Sequence, residues 1–203
     1  MPEQASQQAS QPPATRSGFW AEIESMKSPE SKDVAPEPKV GENAPTAPEL
    51  VLPDGRKTLI LFLRHCGCPS VSEMQRDVHC IAVSHSSPEA TERWIPQVGG
   101  AWHTDVIIDE GRDLYAKWGL GLSNTWHAFN PMALYSVYRL GADEGIWNRP
   151  TESGSRWQKS GAFAVDEAGM VRWRHISKTA DDLPDFDAAL EALGIVSDDQ
   201  GKN

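Results

Sequence analysis

Two short apolar runs set the terms on which this chain can fold. Residues 58–63 read TLILFL and residues 79–84 read HCIAVS. Each has the length of one strand, and the apolar positions are consecutive rather than alternate, which is the pattern of a strand covered on both faces. Neither approaches the roughly 20 apolar residues that a membrane-spanning helix requires. After the second run, Ser87-Pro88-Glu89-Ala90 predicts a helix start, with Ser87 as N-cap and Pro88 at the first helical position. That helix runs to about Val98 and stops at Gly99-Gly100. A third strand is expected over 105–109 (DVIID), then a helix over 112–118 ended by Gly119. Residues 161–166 and 170–175 read as a hairpin around Glu167-Ala168-Gly169. Residues 185–193 read as a closing amphipathic helix ended by Gly194, with Asp185 and Asp187 at its dipole-favoured end. Strand–helix alternation followed by a hairpin gives an α/β fold, a central mixed β-sheet flanked by helices. Residues 120–158, mixed in aromatics, prolines and glycines, read as a long insertion with a helix near 131–140.

The ends of the chain are of a different kind. Residues 1–38 are rich in Gln, Ser, Pro, Glu and Ala and cannot bury enough apolar area to offset their ordering entropy, so a disordered tail is expected, with a helical turn or two near 19–26. Residues 197–203 should also be loose, leaving one domain over 39–196. Lys and Arg total 19 against 29 for Asp and Glu, a net charge of −10, which argues against nucleic-acid or anionic-membrane partners. Three cysteines are too few for a secreted disulfide framework. No basic stretch followed by an apolar one opens the chain, so no signal peptide is expected and the reading is cytoplasmic. No phosphate-cradling glycine loop and no Gly-x-Ser-x-Gly elbow is present, and no cofactor is expected.

The chemistry concentrates in Arg64-His65-Cys66-Gly67-Cys68-Pro69, directly after the first apolar run. A cysteine at a strand's carboxyl end, leading toward a helix N-terminus, sits where backbone N–H groups favour the thiolate. Arg64 and His65 add positive charge beside it. The thiolate is the reactive form, so this is the setting a nucleophilic cysteine needs. Cys66 and Cys68, one residue apart, can also close a small, strained and therefore labile disulfide. A zinc site drawing on Cys66, Cys68, His65 and either His79 or Cys80 is the competing chemistry, but only one clear ligand pair is visible where structural zinc sites show two. Cys80, inside a strand run, reads as a small buried hydrophobe. His85, after the second strand, reads as a polar loop residue, and the tryptophans read as packing residues.

Taken together, Lys39-Val40-Gly41-Glu42-Asn43-Ala44-Pro45, then TLILFLRHCGCP, IAVSHSSPEATERWI, DEGRDLYAKWGLG and GAFAVDEAGMVRWRH resemble the peroxiredoxin-like AhpC/TSA (alkyl hydroperoxide reductase/thiol-specific antioxidant) proteins, closest to their fungal-type members. The resemblance covers roughly residues 39–193. It implies a thioredoxin-like fold and a redox-active Cys68, and it makes residues 161–166 the strand facing the site, with Arg156 or Lys159 just before it. The activity it implies is that of a thiol-dependent oxidoreductase reducing small-molecule peroxides or disulfides through Cys68. Cys66 would then resolve the intermediate, and an external thiol would act as reductant. Two departures keep a second reading open, a thioredoxin-fold binding or scaffold protein whose cysteines no longer turn over. His65 stands three residues before Cys68, and Leu63 three before Cys66, where the peroxidases of this family carry the threonine that orients the peroxide. Only about nine residues separate Pro69 from His79, room for two helical turns at most.

Overall fold

The computed structural model describes residues 29–64, 78–98, 104–123, 153–179 and 182–195. His65, Cys66 and Cys68 lie outside the described residues. So do residues 1–28 of the expected tail, the short helix after Pro69, the interior of the insertion and the last eight residues.

Five strands form one sheet: β1 Thr58–Phe62, β2 His79–Ser84, β3 Thr104–Ile108, β4 Gly161–Val165 and β5 Val171–Ile176. Their order is β3-β2-β1-β4-β5. β1, β2 and β3 run parallel, β4 is antiparallel to β1, and β5 is antiparallel to β4. Three helices lie among the described residues: α1 Pro88–Trp94, continued by a 3-10 turn over Ile95–Val98, α2 Asp113–Lys117 and α3 Phe186–Ala192. The sheet is mixed and flanked by helices, as the sequence leads one to expect. β2 has the predicted bounds, while β3 begins one residue earlier than predicted.

Consecutive apolarity in β1 is explained by what covers it. Ile60 and Phe62 join a cluster with Leu114, Tyr115 and Trp118 from around α2, together with Leu50 and Leu52 of the lead-in. Leu59 points the other way, into a cluster with Ala189, Leu190 and Leu193 of the α3 region, and Leu61 and Leu63 pack with Trp94 of α1. Neighbouring residues of a strand face opposite sides of the sheet, so only apolar residues at both parities satisfy two covered faces. Each fully buried side chain of this size adds about 1.5–3 kcal/mol relative to leaving it in water.

Local signals place the helices. The Ser87 hydroxyl accepts from Ala90 N–H at 3.3 Å, with Pro88 opening α1. The Asp185 carboxylate accepts from Ala188 N–H at 3.0 Å at the start of α3. α2 is capped from a distance: the Asp109 carboxylate, at the end of β3, accepts from the N–H groups of Asp113 (2.9 Å), Leu114 (2.8 Å) and Tyr115 (3.2 Å). Burial pushes the Asp109 carboxyl above its usual range, with those three N–H groups pulling against it. At the hairpin, the Asp166 carboxylate accepts from Ala168 and Met170 N–H and holds Arg172 at 2.6 Å, while Gly169 takes a φ of +83°.

The lead-in extends the sheet's edge. Gly41 N–H donates to Val171 O at 2.8 Å, Val171 N–H donates back to Glu42 O at 2.9 Å, and Asn43 pairs with Met170. Residues 29–38, which the sequence assigns to the tail, run along the α2 side of the domain. Ala35 N–H donates to Ala116 O, Lys32 pairs with Asp113, and Arg112 donates to Glu30 O.

Candidate active site

β1 to β3 run parallel and β4 runs against β1, so one edge of the sheet gathers the carboxyl ends of β1, β2 and β3, the start of β4 and the end of β5. Phe62 pairs with Val83 and with Gly161, and Gly161 pairs in turn with Ile176. The chain leaves this edge through Leu63 and Arg64 into the Cys-Gly-Cys-Pro motif. In open α/β sheets this is where ligands bind.

Tyr115 ties the edge together from beneath. Its fully buried hydroxyl lies 2.6 Å from Leu63 O and 2.7 Å from Val83 O, donating its one proton between two strand ends. The ring is held edge-on by Phe62 at 5.1 Å and by His85 at 5.3 Å. Tyr115 is placed by α2, so the carboxylate of Asp109 sets the geometry at the end of β1 through a helix only five residues long.

A second loop, residues 153–158, closes over the same edge. Ser155 N–H lies 2.9 Å from His85 Nε2, and Ser155 O lies 3.2 Å from the same nitrogen, so the buried imidazole is held against the Ser155 backbone. The Ser86 hydroxyl donates to Ser153 O at 3.0 Å, and Ser87 N–H donates to the Ser153 hydroxyl at 2.9 Å. Ser123 N–H donates to Trp157 O at 2.7 Å, and the buried Gln158 amide donates to Leu120 O at 2.8 Å. Gly154 has a φ of +90°, and a Cβ there would stand 2.9 Å from His85 Nε2. Backbone conformation and the close imidazole both require glycine at this position. Ser123 and Ser153, both within the insertion read over 120–158, are thereby moored at the edge where the cysteine motif begins.

Arg64 is the one residue of the expected catalytic set within the described residues. Its Nε and Nη2 both donate to the carbonyl of Arg156, at 3.3 and 3.2 Å. The arginine before the motif and the loop before β4 are thus brought together across 92 residues of sequence. Lys159 lies two residues before β4 at the same edge, its N–H donating to Gly121 O.

Of the zinc ligands considered in the sequence, His79 and Cys80 lie within the described residues. His79 pairs with Thr58 at the opposite edge, roughly 13 Å of strand from Phe62 at the usual rise per residue. There it is held by Asp54 at 3.0 Å and Asp105 at 2.7 Å. Cys80 is 1 % exposed, and burial pushes its thiol up to about 11. Among the described residues, no group of three or more His, Cys, Asp or Glu is placed to hold a metal ion. Sequence reading missed the roles of Tyr115, Asp109 and His85. His85 is a loop residue, as read, but a buried one that anchors Ser155, and its only local signal is its place after a buried strand.

The mixed sheet and its helical cover define a thioredoxin-like fold. Similar solved structures include a thiol peroxidase from Chromobacterium violaceum, with a TM-score of 0.52 and 18% identity over 81% of this chain and 90% of that one. A peroxiredoxin-like protein from Aquifex aeolicus has a TM-score of 0.51 and 15% identity over 79% and 89%. A cysteine-to-serine mutant of peroxiredoxin 6 of Arenicola marina has a TM-score of 0.51 and 14% identity over 77% and 72%. At such identities the likeness speaks for the fold. By sequence, residues 69–179 match the AhpC/TSA antioxidant enzyme family, to which this chain belongs. That match begins one residue after Cys68. No curated protein matches the chain. Among the described residues, no helix is long and apolar enough to cross a membrane.

Proposed function

We propose that the protein is a thiol-dependent peroxidase of peroxiredoxin type, with Cys68 as nucleophile and Cys66 as resolving thiol. The family and the fold support a thiol-peroxidase-like function, and the residue assignment rests on one juxtaposition. The cysteine motif follows a strand whose last residues are clamped by Tyr115 and whose Arg64 guanidinium is fixed on Arg156 O. Cys66 and Cys68 follow Arg64 by two and four residues, so covalent geometry keeps their Cα atoms within about 7 and 14 Å of it. A guanidinium that comes within about 4–6 Å of a cysteine sulfur favours the thiolate over the thiol, and Arg64 is the cation we assign to that role.

The Cys68 thiolate attacks the terminal oxygen of a hydroperoxide ROOH. The S–O bond forms as the O–O bond breaks, and the alkoxide takes a proton and leaves as ROH. The Cys66 thiol then displaces hydroxide from the Cys68 sulfenic acid; with the thiol proton this departs as water, and a disulfide remains. Two equivalents of an external thiol reduce that disulfide and leave as their own disulfide. Arg64 and His65 hold positive charge beside the thiolate. The second reading, a thioredoxin-fold binding or scaffold protein, is favoured by His65 standing in the place of the peroxide-orienting threonine.

Reductant-dependent consumption of hydrogen peroxide and of an organic hydroperoxide tests the proposal. The wild type should turn over, and Cys68→Ser should fall to background. Equal rates above background would remove Cys68 from the mechanism, and background rates in both proteins would leave the scaffold reading.

A further inference from the structure

A cavity of about 690 Å³ opens at the β5 side of the sheet, lined by Glu37, Leu122, Lys159, Arg174, Lys178 and Asp182 together with the last residues of β5. In a chain of net charge −10, this lining is basic. Its acidic members are already engaged. Glu37 lies 3.3 Å from Arg174 Nη1, while Asp182 lies 3.2 Å from His175 Nε2 and accepts from Lys178 N–H at 2.7 Å. The ammonium groups of Lys159 and Lys178 have no acidic partner among the described residues. Two uncompensated cations on one concave surface attract an anion with at least two negative groups.

The cavity also lies at the active-site edge. Ile176, in its wall, shares a row of the sheet with Gly161 and Phe62. Two inter-strand spacings put it roughly 10 Å from the end of β1. A molecule of three linked residues spans about that distance when extended. We infer that this cavity seats the electron donor, a low-molecular-weight thiol carrying two carboxylates, with Lys159 and Lys178 holding the carboxylates and the thiol directed toward the cysteine motif. This rests on the thiol-peroxidase reading above. The donor thiolate attacks one sulfur of the Cys66–Cys68 disulfide, and a mixed disulfide forms as a protein thiolate leaves. A second donor thiol releases the oxidised dimer and the other protein thiol.

The test uses the full chain and Lys178→Glu, an exposed substitution outside the proposed catalytic set. Glutathione serves as the dicarboxylate thiol and dithiothreitol as the uncharged one. The inference predicts that Lys178→Glu raises the glutathione KM about fivefold, or more at low salt, and leaves the dithiothreitol-driven rate unchanged. An unchanged glutathione KM would overturn it, as would a rate with cysteamine, which has no carboxylate, equal to that with glutathione. Titration of Cys68→Ser with S-methylglutathione, which cannot react, reads the cavity without turnover. Binding that weakens about fivefold in the added presence of Lys178→Glu supports the site even if peroxide consumption fails and the thiol-peroxidase reading falls with it. Absence of binding overturns the site whatever the peroxidase result.

Discussion

Replacing Tyr115 with Phe isolates the clamp that holds the ends of β1 and β2. The substitution removes one oxygen and keeps the ring, so the edge-on contacts to Phe62 and His85 survive. Val83 O retains the Leu63 N–H at 2.9 Å, whereas Leu63 O loses the hydroxyl that stood 2.6 Å away. A buried acceptor deprived of its donor costs about 1–3 kcal/mol. In a domain of this size that lowers Tm by roughly 2–4 °C per kcal/mol. Tyr115→Leu also removes much of the ring and leaves a cavity, for a loss of roughly 3–5 kcal/mol. Urea unfolding followed by far-ultraviolet circular dichroism measures both. If Tyr115→Phe unfolds at the wild-type midpoint while Tyr115→Leu is strongly destabilised, the ring matters and the hydroxyl clamp does not, and the reasoning fails.

Gly154→Ala should destabilise by about 1–3 kcal/mol, because it forces a side chain into a positive φ and against the buried His85; a neutral result in the same unfolding assay would mean the loop is not moored there. Cys80, with its thiol pushed up to about 11, should resist alkylation at pH 8 in the folded protein and react once it is denatured, as peptide mass spectrometry would read. At Asp166, burial alone would raise the carboxyl pKa, but the N–H groups of Met170 and Ala168 and the Arg172 guanidinium outweigh it and hold it below the ordinary range. The stability it adds is therefore complete above the unfolded carboxylate range and is lost as pH falls through the lower folded value. Asp166→Asn should thus be less stable than wild type at pH 7 and converge with it as pH falls below roughly 4; a constant difference across pH would exclude the ionised form as the source.

What the sequence made legible was whatever short-range chemistry decides. The run HCIAVS has no polar face and so marks a strand between two covers, and Ser87-Pro88 carries a cap and a fixed φ within two residues. The hairpin around Gly169 is likewise local. What stayed hidden depends on partners far along the chain. Asp109 reads as the end of a strand, and only the fold shows its two oxygens serving three N–H groups of α2. His85 finds Ser155 across 70 residues, and Arg64 finds Arg156 across 92. Residues 29–38 have a solvated composition, yet their backbone is used by Ala116 and Arg112. The basic cavity draws Lys159, Arg174 and Lys178 from separate positions and leaves no run of charge to notice. The cysteine motif was the reverse case, conspicuous in sequence and outside the described residues.

The most direct test of the account is chemical trapping at Cys68. The Cys66→Ser protein, which cannot form the Cys66–Cys68 disulfide, is treated with one equivalent of hydrogen peroxide in the presence of dimedone and read by peptide mass spectrometry. The account predicts a dimedone adduct on Cys68 and none on Cys80, showing a sulfenic acid formed at the proposed nucleophile. An unmodified Cys68, with peroxide left unconsumed, would contradict it.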